Sequence, residues 1–231
     1  MPVSLSNPLR FEGLAGLSPR PLVTTDGVAQ LLSLCPAHQP TPLLDLPDLA
    51  RHTGVARMYV KDESRRMGLG SFKALGAAYA IASAAEEVVQ EKDWANALTG
   101  RIFVTASAGN HGLSVAAGAR LFGAKAVIYL SEAVPEAFAI RLRAMGAEVV
   151  RAGATYEESM EAAEASARSN DWTLLSDSSW PGYTEWPLRV MEGYLQLSAE
   201  TVAQIDAAPT HIVLQAGVGG MAAAVAAHAR V

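Results

Sequence analysis

From about Met58 onward, short runs rich in β-forming residues alternate with stretches of helical pattern, and this alternation constrains the fold more than any other feature of the sequence. The runs are Arg57–Lys61, Arg101–Thr105, Ala124–Leu130, Glu148–Arg151, Thr173–Leu175 and His211–Gln215. Helix boundaries are marked between several of them. Thr155 followed by Glu158 makes a capping box, Gly146 closes Pro135–Met145, and Gly123 closes Leu113–Phe122. Strands separated by helices predict an α/β fold, a mainly parallel sheet with helices on both faces, in which ligands gather at the carboxyl ends of strands. Ahead of it, the first 42 residues hold most of the prolines and read as an extended arm with one short helix near Val28–Leu34.

Four stretches at those strand ends carry candidate chemistry. The first runs from Lys61 to Lys73 through Gly68 and Gly70. Ser71 is placed to cap a tightly packing helix, Ala74–Ala80, with Lys73 in its first turn. The positive end of the helix dipole disfavours a cation there and favours the neutral, nucleophilic amine. The second is Thr105-Ala106-Ser107-Ala108-Gly109-Asn110-His111-Gly112. Its small residues let the backbone approach a ligand, offering main-chain N–H groups to a carboxylate, while Ser107 and Asn110 can donate from their side chains. A plain βα loop with a capping residue fits the same spacing, and His111, with no second ligand nearby, reads alone as a packing residue.

The third stretch is Val213–Ala222, where Gly217, Val218, Gly219 and Gly220 lead into a helix and form a cradle for phosphate. Gly217, Gly219 and Ala222 also satisfy the dinucleotide pattern G-x-G-x-x-A. Nicotinamide ranks below a monophosphate cofactor, because Val231 is reached without the acidic ribose-binding residue expected about 20 positions on and the motif follows the last run, not the first. The fourth stretch is Leu175–Tyr183, which carries Asp177 beyond a strand. That carboxylate suits an Asx-turn and, if desolvated, a general base.

Composition excludes several classes. A formal charge of −5 with no basic cluster argues against nucleic acid as a partner. Apolar runs such as Ala126–Leu130 are too short to cross a bilayer, so no membrane partner is expected. The single Cys35, in Leu34-Cys35-Pro36, has neither a disulfide partner nor metal-ligand spacing, and no metal site is expected. The N-terminus lacks a basic segment followed by an apolar stretch, which points to the cytoplasm.

Taken in order, a Ser-x-Lys, a Ser-x-Gly-Asn-His loop and a Gly-rich turn resemble the fold-type II pyridoxal-phosphate enzymes, the fold of the tryptophan synthase β chain. Within that superfamily the style is similar to the diaminopropionate ammonia-lyases at Lys61-Asp62-Glu63-Ser64, Phe72-Lys73-Ala74-Leu75-Gly76, Asp177-Ser178-Ser179-Trp180-Pro181-Gly182-Tyr183 and Leu214-Gln215-Ala216-Gly217-Val218-Gly219. The resemblance runs from about Pro40 to the end. It implies a homodimeric carbon–nitrogen lyase with pyridoxal 5'-phosphate bound to Lys73 as a Schiff base, acting on a small amino acid by α,β-elimination to a 2-oxo acid and ammonia. It implies that Asn110 contacts the cofactor's 3-oxygen, that Phe72 and Gly217–Gly220 line the cofactor and its phosphate, and that Ser107, Ala108, Gly109 and His111 hold the substrate carboxylate. It also implies two domains, residues 1–75 with 190–231 forming the large one and 76–189 the small one.

Two departures refine these expectations. Ala108 stands where the ammonia-lyases commonly carry an aspartate associated with D-substrates, whereas Asp177, associated with L-substrates, is present, so an L-amino acid is expected. The Ser107–His111 loop also resembles that of the serine and threonine dehydratases. Family members continue well beyond the phosphate turn, whereas this sequence stops at Val231. That leaves a large domain expected to be incomplete, sheet edge and apolar surface expected to be uncovered, and a non-catalytic module as the other reading.

Overall fold

The computed structural model describes residues 22–230, so the part of the expected arm before Leu22 lies outside the described residues. The elements in order are α1 (Asp26–Leu32), β1 (Leu43–Asp45), α2 (Pro47–Thr53), β2 (Tyr59–Lys61), α3 (Lys73–Glu86), β3 (Ile102–Ala106), α4 (Asn110–Leu121), β4 (Lys125–Leu130), α5 (Glu136–Ala144), β5 (Glu148–Arg151), α6 (Tyr156–Asn170), β6 (Thr173–Leu174), α7 (Glu185–Gly193), α8 (Leu195–Gln204) and α9 (Gly220–His228). None of these helices is long and apolar enough to cross a membrane.

The centre is a parallel sheet in the order β5-β4-β3-β6, with Val104 opposite both Val127 and Leu174, and Leu130 opposite Arg151. Its side chains alternate strictly. Phe103, Ala126, Ile128 and Leu130 pack on one face with residues of α3, α4 and α5, and Val104, Ala106, Val127 and Tyr129 pack on the other with Ala163 and Ala167 of α6. Each large side chain buried this way, Phe103 and Ile128 among them, contributes about 1.5–3 kcal/mol. The chain runs β3-β4-β5 with α4 and α5 on the first face. It then returns over the opposite face through α6 to place β6 beyond β3. The direction of winding therefore reverses between β3 and β6, and a crevice opens at their carboxyl ends.

The local signals behave as their chemistry predicts. Thr155 Oγ1 accepts the Glu158 N–H at 3.2 Å, and Glu158 reaches back to the Thr155 N–H at 3.3 Å. Helix α3 is built largely of small residues and packs closely on its neighbours. A Cβ at Gly76 would lie 2.6 Å from Tyr194 Cε1, and one at Gly193 would lie 2.5 Å from the Leu75 carbonyl oxygen, so α3 and α7 touch backbone to backbone.

Two expectations are corrected. The run Arg57–Lys61 contributes β2, but it pairs antiparallel with β1 in a separate two-stranded sheet, Leu43 opposite Lys61 and Asp45 opposite Tyr59. The run His211–Gln215 forms no strand. A β-rich sequence makes a strand only beside a ladder partner; here Val213 is 95% exposed and the segment is irregular. The dinucleotide reading of the glycine turn thereby loses the strand that should precede it.

Candidate cofactor and substrate site

Two of the four candidate loops meet at the point where the sheet reverses. The loop after β3 is braced by Ser107, whose Oγ accepts the N–H groups of Gly109 at 3.3 Å and Gly112 at 3.0 Å. Ser107 Oγ retains its own hydrogen for donation. Ala108 and Asn110 are exposed, and a Cβ at Gly109 would meet nothing within 4 Å, so the loop faces open space. His111 does not share that exposure. It is buried, and its Nε2 lies 2.9 Å from the Leu175 carbonyl oxygen. A carbonyl can only accept, so the proton is on Nε2. Burial lowers the imidazole's pKa and keeps it neutral. Its side chain ties the β3 loop to the end of β6, and at this position only backbone is left for a substrate.

The loop after β6 is closed by Tyr183. Its hydroxyl accepts the Ser176 N–H and donates to the Leu174 carbonyl, both at 2.9 Å, and its ring stacks on Trp180 with centroids 4.3 Å apart. Asp177 is held in the intervening turn and pairs with Lys73 Nζ, the two side chains being 16% and 23% exposed. Burial alone would raise the Asp177 carboxyl. His111 and Lys73 outweigh it and hold the carboxyl below the usual carboxylate range, and with His111 neutral the Lys73 ammonium is the cation that matters.

Lys73 is the first residue of α3, and its N–H donates to Ser71 Oγ at 3.3 Å. The turn before it is anchored by Arg66, which is wholly buried. Arg66 Nε donates to Glu63 at 2.8 Å, Nη1 to the Gln39 carbonyl at 2.9 Å and to Glu200 at 2.8 Å, and Nη2 to Glu200 at 2.7 Å. Glu200 also pairs with Lys61 at 2.8 Å. Because Glu200 lies on α8, this network fixes the lysine-bearing turn against the helix that precedes the glycine turn.

The glycine turn reaches the same region through aromatic packing. Phe72 meets Tyr194 edge to face at 5.2 Å, and Tyr194 Cε2 lies 3.6 Å from where a Cβ on Gly220 would be. Gly219 has φ +89°, a conformation that favours glycine, and α9 begins at Gly220 with its unpaired N–H groups. Cβ atoms at Gly217 and Gly219 would each enter open space, and Val218 is 59% exposed. A lysine amine beside a carboxylate, an open glycine loop with an exposed amide side chain at Asn110, and a helix N-terminus at Gly220 are the donor set that an aldehyde carrying a phosphate requires. The residues present therefore fit pyridoxal phosphate.

Reasoning from sequence missed Tyr183, Tyr194, the Leu175 carbonyl and the Arg66–Glu200 pair. Tyr183 and Glu63 sat in motifs already noted, but a hydroxyl that closes a loop and an ion pair 134 residues apart leave no local pattern.

A profile of the family described as "Pyridoxal-phosphate dependent enzyme" matches residues 34–230. The chain is 38% identical to diaminopropionate ammonia-lyase of Escherichia coli strain K12 over 199 residues, 81% of this chain and 50% of that one. It is 30% identical to L-serine dehydratase/L-threonine deaminase of Mus musculus over 185 residues, 80% of this chain and 50% of that one. The structure superposes on holo diaminopropionate ammonia lyase from Escherichia coli with a TM-score of 0.81 at 35% identity, covering 90% of this chain and 57% of that one. The chain spans about half the length of the curated relatives it matches.

Proposed function

From the premise that the chain belongs to the pyridoxal-phosphate-dependent enzyme family, we propose that it is a carbon–nitrogen lyase carrying out α,β-elimination on a small L-amino acid of the 2,3-diaminopropionate kind. The observation that carries this reading is the Lys73–Asp177 pair at the point where the sheet reverses. When bound, pyridoxal phosphate supplies an electron sink that stabilises negative charge at the substrate's Cα. Lys73 would hold the cofactor through its amine, with Phe72 lining it and Asn110 contacting its 3-oxygen. Gly217, Val218, Gly219 and Gly220 take the phosphate. Ser107, Ala108, Gly109 and the backbone of His111 take the substrate carboxylate.

Asp177, or the Lys73 amine once the substrate's own amine displaces it from the cofactor, would take the Cα proton. Burial pushes the Asp177 carboxyl upward, the direction a general base needs, against the pull of His111 and Lys73. As the Cα–H electron pair forms the new C=C bond, the Cβ group, protonated as ammonium, departs as ammonia. The released enamine exchanges its nitrogen for water, giving a 2-oxo acid and a second ammonia. Asp177 is the carboxylate this site offers, and Ala108 places none in the opposite loop, which favours the L-isomer. We place the protein in the cytoplasm as a homodimer; sedimentation gives the assembly state directly.

A dehydratase reading is favoured by the same uncharged loop around Ala108 and by the likeness to the serine dehydratase, and it differs only in the leaving group. The experiment mixes the 231-residue chain with pyridoxal phosphate and follows 2-oxo acid from L-2,3-diaminopropionate, L-serine and L-threonine. Wild type should show the visible absorption of lysine-bound cofactor and turn over diaminopropionate fastest, and Lys73→Ala should lose both. Identical spectra for wild type and variant would refute the assignment of Lys73. Bound cofactor with no turnover on any of the three would identify a non-catalytic module.

A further inference from the structure

Tyr194 is 2% exposed, yet its hydroxyl has no hydrogen-bond partner among the described residues. A buried hydroxyl left unpaired destabilises a fold, and such groups persist where something outside the resting fold completes them. The ring's surroundings indicate what that is. Cζ, the atom that bears the hydroxyl, lies 2.8 Å from where a Cβ on Gly76 would sit. Gly76 lies three residues after Lys73 and so on the same face of α3. The neighbouring Cε2 abuts Gly220 at the start of α9, and Phe72 packs edge to face on the ring. The phenol is thus wedged between the helix that presents Lys73 and the N-terminus that presents the glycine turn. Burial and the nearby Asp177 charge keep it protonated, a donor and never an anion.

We propose that Tyr194 Oη donates a hydrogen bond to the phosphate group held at the Gly217–Gly220 turn, adding a side-chain donor to the backbone cradle. The inference rests on the pyridoxal-phosphate reading of the site. It makes Tyr194 a ligand-completed residue: unsatisfied in the cofactor-free chain and satisfied in the loaded one. Removing the hydroxyl therefore has opposite effects on the two forms.

The test uses Tyr194→Phe in the full chain, which keeps the ring and its packing. Binding of pyridoxal 5'-phosphate and of pyridoxal, which lacks the phosphate, is measured by equilibrium dialysis, with the urea midpoint of the cofactor-free chain and the ³¹P resonance of bound cofactor recorded alongside. The variant should bind pyridoxal phosphate about 10- to 100-fold more weakly and pyridoxal with unchanged affinity. It should shift the ³¹P line and raise the urea midpoint without cofactor. Equal affinity of wild type and variant for pyridoxal phosphate, an equal loss for both ligands, or a lowered midpoint in the cofactor-free variant would each overturn the proposal while leaving the Lys73 assignment standing. Wild type that binds no pyridoxal phosphate would overturn both.

Discussion

The two charged clusters around the lysine-bearing turn are built from the same kinds of residue and finished differently. In the Arg66 cluster every guanidinium nitrogen is engaged, and Glu200 accepts from Arg66, Lys61 and the Thr41 N–H. In the Lys73 cluster one amine faces one carboxylate, both partly open, beside a loop whose Asn110 is exposed. A buried charge is tolerated when its hydrogen bonds are complete, and such a cluster has nothing left to offer a ligand. A pair left incomplete at a crevice keeps its proton chemistry available. The difference separates a residue that fixes geometry from one that can react, although arginine and lysine differ little as entries in a composition.

Glu200→Ala should break the closed cluster most severely. It leaves Glu63 as the one carboxylate facing the buried Arg66 guanidinium and removes the partner of Lys61, and should cost about 3–5 kcal/mol in urea unfolding; a loss below about 1 kcal/mol would show the cluster to be less closed than its geometry. The same cluster predicts an acid sensitivity. Glu200 is held at about 2 in the folded chain against an ordinary 4.5, burial being outweighed by its bonds to Arg66 and Lys61. Between those values the unfolded chain binds the extra proton. The stability contributed, on the order of 3 kcal/mol, is therefore complete above about pH 4.5 and is lost as pH falls toward 2. Urea midpoints measured down that range should fall more steeply for wild type than for Glu200→Gln, in which the remaining fall comes from other paired carboxylates such as Asp177.

Asp177→Asn should show the opposite signature, a change within about 1 kcal/mol in unfolding and a loss of about 100- to 10,000-fold in turnover on whichever substrate is active. An unfolding loss as large as that of Glu200→Ala would erase the contrast. The smallest effect is on titration alone. Replacing the cation in Lys73→Met should move the Asp177 carboxyl upward, since burial then meets less opposition. Carboxyl ¹³C shifts of labelled aspartate followed with pH read this directly. An unmoved Asp177 would mean that His111, not Lys73, holds it down.

Much of this arrangement was legible in the sequence. The capping box at Thr155, the glycines that end α4 and α5, and the runs that became β3 to β6 are local signals, and each is read from a few neighbouring residues. Lys73 was placed in a first helical turn for the same reason. The misreadings have a common cause. His211–Gln215 has strand composition, but a strand is a property of a pair, and no partner lies beside it among the described residues. His111 read by itself as a packing residue, and it is one, but its partner, the Leu175 carbonyl 64 residues away, leaves no local pattern.

The sequence by itself determined the elements, the alternation that makes the sheet parallel, and the set of chemical groups delivered to strand ends, because periodicity, caps and glycine turns act over short spans. Tertiary structure decided which of those groups meet. The reversal between β3 and β6 brings Asp177 to Lys73 across 104 residues. Helix packing too close for a side chain at Gly76 wedges Tyr194 beside the glycine turn. Such encounters depend on the summed geometry of the whole chain, and no window of neighbouring residues contains them.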